Sequence, residues 1–184
     1  AAADARHGEV QVRSTGGGPV PQGPGVWNLS LVWPAPAAVP TAADAVYRGL
    51  CARLAAALAD LGLAAAPQPV AGSFCDGRYN LAVAGRKLAG TAQAWRRVDG
   101  VPMVLAQAVL IVDADPAALT ARANAFEAAL GTATRYRAEA LTSVALASGR
   151  AGIEDRMIEA VAERCARADA PRDHPPKEIE HGAA

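Results

Sequence analysis

The run from residue 78 to residue 112, RYNLAVAGRKLAGTAQAWRRVDGVPMVLAQAVLIV, decides how this chain folds. It carries two turn signals, one at Gly85 and one at Asp99-Gly100, between stretches of strand-type residues. The spacing predicts strands over 78–84, 87–97 and 102–112, joined by tight hairpin turns. Consecutive hairpins make neighbouring strands antiparallel. Along the middle strand, alternation sends Lys87, Ala89, Thr91, Gln93 and Trp95 to one face and Leu88, Gly90, Ala92 and Ala94 to the other. A lysine beside glycines can meet an anionic or carbonyl group whose approach the glycines permit. An exposed strand with solvated polar side chains accounts for the same spacing.

Working outward, residues 26–33 (VWNLSLVW) alternate Trp27, Leu29, Leu31 and Trp33 against Asn28 and Ser30, a half-buried strand. Upstream, residues 9–13 (EVQVR) read as a short strand entering the turn Ser14-Thr15-Gly16-Gly17-Gly18-Pro19. A helix is predicted from Thr41 as N-cap to Leu61, stopped by Gly62, with Val46, Leu50, Leu54, Leu58 and Leu61 as its apolar stripe. Asp115-Pro116 caps and opens a helix ending near Gly131. A last helix over 152–168 aligns Ile153, Met157, Val161 and Cys165. Hairpins with separate helices imply an α+β fold, a mainly antiparallel or mixed sheet flanked by helices. At 184 residues the expectation is one domain over 1–170, followed by a proline-rich, charged tail over 171–184 that is poorly ordered.

Eighteen basic and eighteen acidic side chains cancel, so the overall charge points to neither nucleic acid nor an anionic membrane. No apolar run approaches the length of a membrane helix, and the expected location is cytoplasmic. Three widely spaced cysteines and three histidines give neither a disulfide framework nor a metal site. Cys51 and Cys165 fall on helix stripes and read as packing residues. Cys75 stands in a loop just ahead of the lysine hairpin, as a nucleophile or as an unreactive loop thiol. Three consecutive glycines, Gly16, Gly17 and Gly18, beside Arg13 can present backbone N–H groups to a carboxylate, phosphate or acyl carbonyl. The segment matches neither the dinucleotide fingerprint nor the P-loop, and a surface loop is the plainer alternative.

These motifs in order, Arg-x-x-Gly-Gly-Gly at 13–18, Asn28-Leu29-Ser30, Tyr79-Asn80-Leu81 and the run AGRKLAGTAQ at 84–93, resemble the lipoate-protein ligase and octanoyltransferase family over about residues 9–145. The resemblance implies an enzyme that attaches a lipoyl or octanoyl group to a lysine of a lipoyl domain in a 2-oxoacid dehydrogenase or glycine-cleavage protein. By that analogy Lys87 contacts the acyl carbonyl. Arg13, Gly16, Gly17 and Gly18 form the adjoining wall, and Gly90, Thr91 and Gln93 line the same site. Transferases of this kind pass octanoyl from acyl carrier protein through a cysteine thioester, which gives Cys75 a catalytic role. Ligases use ATP to make an acyl-adenylate at the lysine, so ATP enters only in that case, with lipoate or octanoate as substrate.

Three departures bear on activity. Gln22 and Gln107 stand where relatives often carry histidine, which removes candidate general bases. Only a dozen residues precede Arg13, whereas relatives have a further N-terminal helix and strand, so the expectation is either a shortened version of the chain or a sheet that lacks an element. No accessory C-terminal domain of the kind many ligases carry is expected either, which favours the transferase over a self-sufficient ligase unless a separate partner chain supplies it. A non-catalytic relative that binds the acyl group or the carrier protein is the alternative from another class. A biotin-type ligase fits the motifs less well.

Overall fold

A computed structural model describes residues 10–12, 17–35 and 39–166. Five antiparallel strands form one sheet: β1 (Val26–Pro34), β2 (Ala65–Pro67), β3 (Leu81–Val83), β4 (Arg86–Val98) and β5 (Val101–Ile111), in the spatial order β1-β5-β4-β3-β2. Among the described residues four α-helices accompany it: α1 (Val39–Asp60), α2 (Pro116–Ala129), α3 (Val144–Ser148) and α4 (Glu154–Ala166), with a 3-10 turn at Ala138–Ala140. The expected α+β class and antiparallel sheet hold.

Both hairpin turns follow the chemistry of their residues. Ala84 (φ 48°) and Gly85 (φ 74°) connect β3 to β4, and Asp99 (φ 49°) and Gly100 (φ 79°) connect β4 to β5. Two successive left-handed residues match the right-handed twist of the strands they join. Gly25 (φ 75°) closes the far end of β1. A Cβ there would lie 2.4 Å from the Ala114 nitrogen, so only glycine fits. Its carbonyl accepts from the amides of Val112, Asp113 and Ala114.

One face of the sheet carries the main core. Val104, Ala106, Ala108 and Leu110 of β5 are buried there with Val46, Leu50, Leu54 and Leu58 of α1 and Ile153 and Met157 around the start of α4. Each fully buried leucine contributes about 1.5–3 kcal/mol. Arg164 of α4 grips Asp60 of α1 through two hydrogen bonds of 2.8 and 2.6 Å, pinning the helices together. A smaller cluster on the opposite face joins Phe74, Ile111, Ala114, Leu119, Ala123 and Leu141, with α2 as its lid.

Several boundaries differ from the sequence expectation. α1 begins at Val39, so Thr41 lies inside the helix and is not its cap. Gly62 (φ 83°) does follow the helix end as expected. The strand expected over 78–84 shrinks to Leu81–Val83, because residues 78–80 turn to meet α1. Tyr79 stacks on Tyr47, with ring centroids 4.7 Å apart, and its hydroxyl donates to Asp44. β2 and α3 are too short to show a periodicity. Residues 10–12 adopt no strand, and Glu9 and Arg13, like the tail from 167 onward, lie outside the described residues.

Candidate active site

The ladder between β3 and β4 is irregular at one point. Ala82 pairs with Lys87, but Leu81 pairs with Ala89, which leaves Leu88 as an extra residue on β4. Such a bulge changes the parity of the strand. Lys87 therefore leaves the face of Thr91 and Gln93 and joins that of Gly90. A Cβ on Gly90 would sit 3.3 Å from both Cε and Nζ of Lys87. The missing side chain at Gly90 is the space the lysine occupies.

Thr91 and Gln93 point to the helix-covered side. The Thr91 hydroxyl donates to the Tyr79 carbonyl at 2.8 Å, and the Gln93 amide donates to the Ala43 carbonyl of α1 at 2.9 Å. The expectation that they share a face with Lys87 is corrected by the bulge, and both serve as ties between the sheet, α1 and the 78–80 turn.

Lys87 is buried, with 3% of its surface exposed. Its Nζ donates to the carbonyls of Phe74 (2.7 Å) and Cys75 (2.8 Å), and lies 5.6 Å from the centroid of the Phe74 ring. A buried ammonium needs partners of this kind to offset its lost hydration. Its backbone is held as well: the Lys87 carbonyl accepts from the Thr142 amide at 2.9 Å, and the neighbouring Arg86 reaches the Leu141 carbonyl.

The loop the lysine grips is bent at Cys75, which has φ 46°. A non-glycine residue in that conformation costs about 1–2 kcal/mol and persists only when its surroundings hold it. Three clamps do so. Lys87 takes two carbonyls. Asp76 accepts from the Val70 and Gly77 amides at 2.8 Å and from the Asn80 side chain at 2.6 Å. Arg137 donates from its side chain to the Ala71 carbonyl and from its amide to the Gly72 carbonyl.

The end of the glycine segment comes to the same place. A Cβ on Gly18 would lie 3.6 Å from both Cα and N of Cys75 and 3.8 Å from the Tyr136 hydroxyl. Gly18, Cys75, Lys87 and Gly90 are thus brought together, and the exposed Gly17 adjoins them in the chain. Arg13 and Gly16 lie outside the described residues. A surface hollow of about 470 Å³, bordered by Pro69, Ala71, Arg137 and Glu139, lies on another side of this loop. None of the four converging residues borders it, so the candidate chemistry sits with the side chains and not with that hollow.

The three cysteines differ in environment. Cys51 is fully buried, donates to the Tyr79 carbonyl, and burial pushes its thiol up to about 11. Burial also raises the Cys165 thiol, an effect a nearby Arg53 opposes. Cys75 is half-buried at the strained bend. Gln22 and Gln107 are engaged along β1: Gln22 accepts from Asn28, and Gln107 donates to the Ser30 hydroxyl. The Tyr136 hydroxyl, absent from the sequence expectation, reaches the same Gly18 position as the Cys75 backbone, and it donates to Glu127. No spacing within the sequence ties either residue to Cys75. Among the described residues, no group of three or more His, Cys, Asp or Glu side chains could hold a metal ion. No described helix is long and apolar enough to cross a membrane.

Comparison with known proteins gives these elements a context. The family model of the lipoyl protein ligase A/B catalytic domain matches residues 1–165. An uncharacterised protein of Cupriavidus necator is 47% identical over 182 residues, covering 91% of this chain and 72% of its own length. An octanoyl-[GcvH]:protein N-octanoyltransferase of Kyrpidia tusciae is 42% identical over 156 residues, covering 81% of this chain and 53% of its own length. In fold, the chain is similar to a lipoate-protein ligase A solved with ATP, with a TM-score of 0.61 at 20% identity. That match covers 84% of this chain and 57% of the ligase. The chain thus spans only about half the length of the transferase and the ligase it matches.

Proposed function

The chain belongs to the lipoyl protein ligase A/B catalytic domain family, and from that premise we propose that it transfers octanoyl or lipoyl groups onto a lysine of a lipoyl domain through a thioester on Cys75. The observation that carries this reading is the grip of Lys87 on the Phe74 and Cys75 carbonyls, with Gly18 packed against Cys75. A cation and a glycine backbone against the backbone of the one loop cysteine support this reading. Attack by Sγ on an acyl carbonyl builds negative charge on the oxygen, and a fixed ammonium beside it lowers that barrier most if it is in place beforehand.

The acyl chain has a surface to follow. Gly90, Ala92 and Ala94 of β4 pair across the sheet with Val109, Gln107 and Leu105 of β5, on the face to which Lys87 turns. All six are half-buried. The strand from Gly90 to Ala94 spans about 13 Å, room for an extended eight-carbon chain. Gly90, Ala92 and Ala94 leave little side-chain bulk on β4, between Val109 and Leu105 of β5 and with Gln107 midway, which supports this face as the path of the chain.

The Kyrpidia tusciae relative, an octanoyltransferase by name, favours a lipoyl carrier of the glycine-cleavage type as donor and a second lipoyl domain as acceptor. Cytoplasm, where such carriers are made, is the proposed location. The ATP-bound ligase of similar fold supports a second reading, in which lipoate is activated as an adenylate beside Lys87.

Intact-mass measurement separates the readings. Incubation with an octanoylated glycine-cleavage carrier is expected to give a hydroxylamine-sensitive octanoyl adduct that disappears in Cys75→Ala. With octanoate or lipoate and ATP, adenylate formation that survives Cys75→Ala but not Lys87→Ala would instead establish the ligase. If no adduct forms and an apo lipoyl domain stays unmodified in both arms, the protein is a non-catalytic binder.

A further inference from the structure

Glu127 stands where a carboxylate is least favoured. It lies in the last turn of α2, where the helix dipole opposes negative charge, and it is only 6% exposed. Two hydroxyls compensate: Thr132 donates to Oε2 at 2.5 Å and Tyr136 donates to Oε1 at 2.6 Å. These two hydrogen bonds, aided by the charge of Arg135, hold the carboxyl below its usual range against the opposing effect of burial.

Tyr136 is fixed from every side. Asn124, one turn before Glu127 on α2, clamps its backbone by accepting from the amide at 2.7 Å and donating to the carbonyl at 3.0 Å. The ring meets Phe74 edge-on at 6.3 Å. Since a carboxylate can only accept, the phenolic proton is directed at Glu127, and the oxygen keeps its lone pairs for another donor. Around Gly18, that oxygen and the Cys75 backbone both lie within van der Waals reach of a single Cβ position. Burial, then the Glu127 hydrogen bond and the charges of Glu127 and Cys75, raise the phenol above its usual range, so it acts as a neutral group.

We propose that Tyr136, backed by Glu127, handles the proton of acyl transfer at Cys75; the inference rests on the thioester reading above. Transfer between lysines demands such a group, because breaking one amide needs a proton on the leaving nitrogen and making the next releases one. In discharge, the incoming amine nitrogen forms the C–N bond, the C–Sγ bond breaks, and its electron pair goes to Sγ. The surplus proton on nitrogen moves to Tyr136 Oη as the phenolic proton moves to Glu127 Oε1. A proton then returns through the same pair to Sγ. Loading from a lysine-bound donor is the reverse, the thiol proton reaching the leaving nitrogen through Oη. All three histidines of the chain lie outside the described residues, and the charged groups around this point among the described residues include Lys87, Asp76, Glu127, Arg135 and Arg137.

The test splits the two half-reactions in the full chain. Loading of Cys75 from an activated aryl thioester of octanoate, whose thiolate leaves without a proton, is followed by intact mass. Discharge of the loaded protein to an apo lipoyl domain is timed separately. Tyr136→Phe, which keeps the ring on Phe74, and Glu127→Gln, which keeps an acceptor for Thr132, are expected to slow loading far less than discharge, because with this donor only the thiol proton has to move and none is owed to the leaving group. Their discharge should fall by about 10²-fold. The Tyr136→Phe discharge should recover as pH rises and the lysine amine loses its proton unaided. Wild-type discharge rates in both variants overturn the inference alone. Equal slowing of both half-reactions with no recovery at high pH assigns Tyr136 a packing role and also overturns it. Absence of any thioester in the wild type overturns the thioester reading, and the inference with it.

Discussion

The two hairpins that share β4 begin from the same turn chemistry and end differently. Both turns put two successive residues in the left-handed region. The β4–β5 ladder then runs through ten uninterrupted pairs, from Val98↔Val101 to Ala89↔Leu110, whereas the β3–β4 ladder breaks at its second pair. The regular hairpin has every side chain where alternation puts it, and it builds the core. The irregular one turns Lys87 to the opposite face and carries the candidate chemistry. A bulge is how a strand aims one side chain away from its own pattern without leaving the sheet.

Substitutions can break this contrast at either hairpin. The largest effect is expected at Lys87→Met, which removes the ammonium and leaves the Phe74 and Cys75 carbonyls without it. Thioester formation should fall by at least about 10²-fold. The lost bonds should cost about 2 kcal/mol in a urea melt and speed amide exchange over residues 72–77. Retained exchange protection in that loop would show that the other clamps suffice.

Gly90→Ala pushes against the lysine itself, since the new Cβ would sit 3.3 Å from Cε and Nζ. Displacing a catalytic group by a fraction of an ångström should lower kcat by about tenfold with little change in melting temperature. A drop in stability with unchanged kcat would mean the lysine relaxes without loss. Gln93→Ala is expected to do the reverse. It costs about 1 kcal/mol through the lost tie to the Ala43 carbonyl, while acyl transfer stays near wild type. A large loss of activity there would put Gln93 back in the acyl site. Smallest of all is the matched pair Gly85→Ala and Gly100→Ala. Both glycines are left-handed and face open space, so each should cost about 1 kcal/mol by chemical denaturation. Unequal costs would show that the bulge strains its own turn.

Much of the scaffold is legible from local rules. Asp115 caps α2 by accepting from the amides of Ala117 and Ala118, the α1 stripe from Val46 to Leu61 is buried throughout, and the strand at 26–33 lies within one residue of its observed end. Those features depend on interactions a few residues apart, or on one face against the rest. The candidate site is legible in part. Lys87, Cys75, Gly18 and Gly90 converge, but Thr91 and Gln93 do not, because the parity change comes from the pairing partner in β3 and not from β4. Nor do Asn124, Glu127 and Tyr136 advertise themselves, since their relation to Cys75 crosses some fifty residues of chain.

Amino-acid order alone determined the hairpins, the helix limits set by caps and glycines, and the identity of the motifs that mark the family. Each of these follows from short-range sterics and hydrogen bonding that a single segment satisfies by itself. Tertiary structure decided which way Lys87 faces, why a side chain at Gly90 would press on it, and which phenol, backed by which carboxylate, comes to the Cys75 loop. Those outcomes depend on where distant backbone groups come to rest, since a buried ammonium or carboxylate is tolerated only where partners from other segments have already been assembled around it.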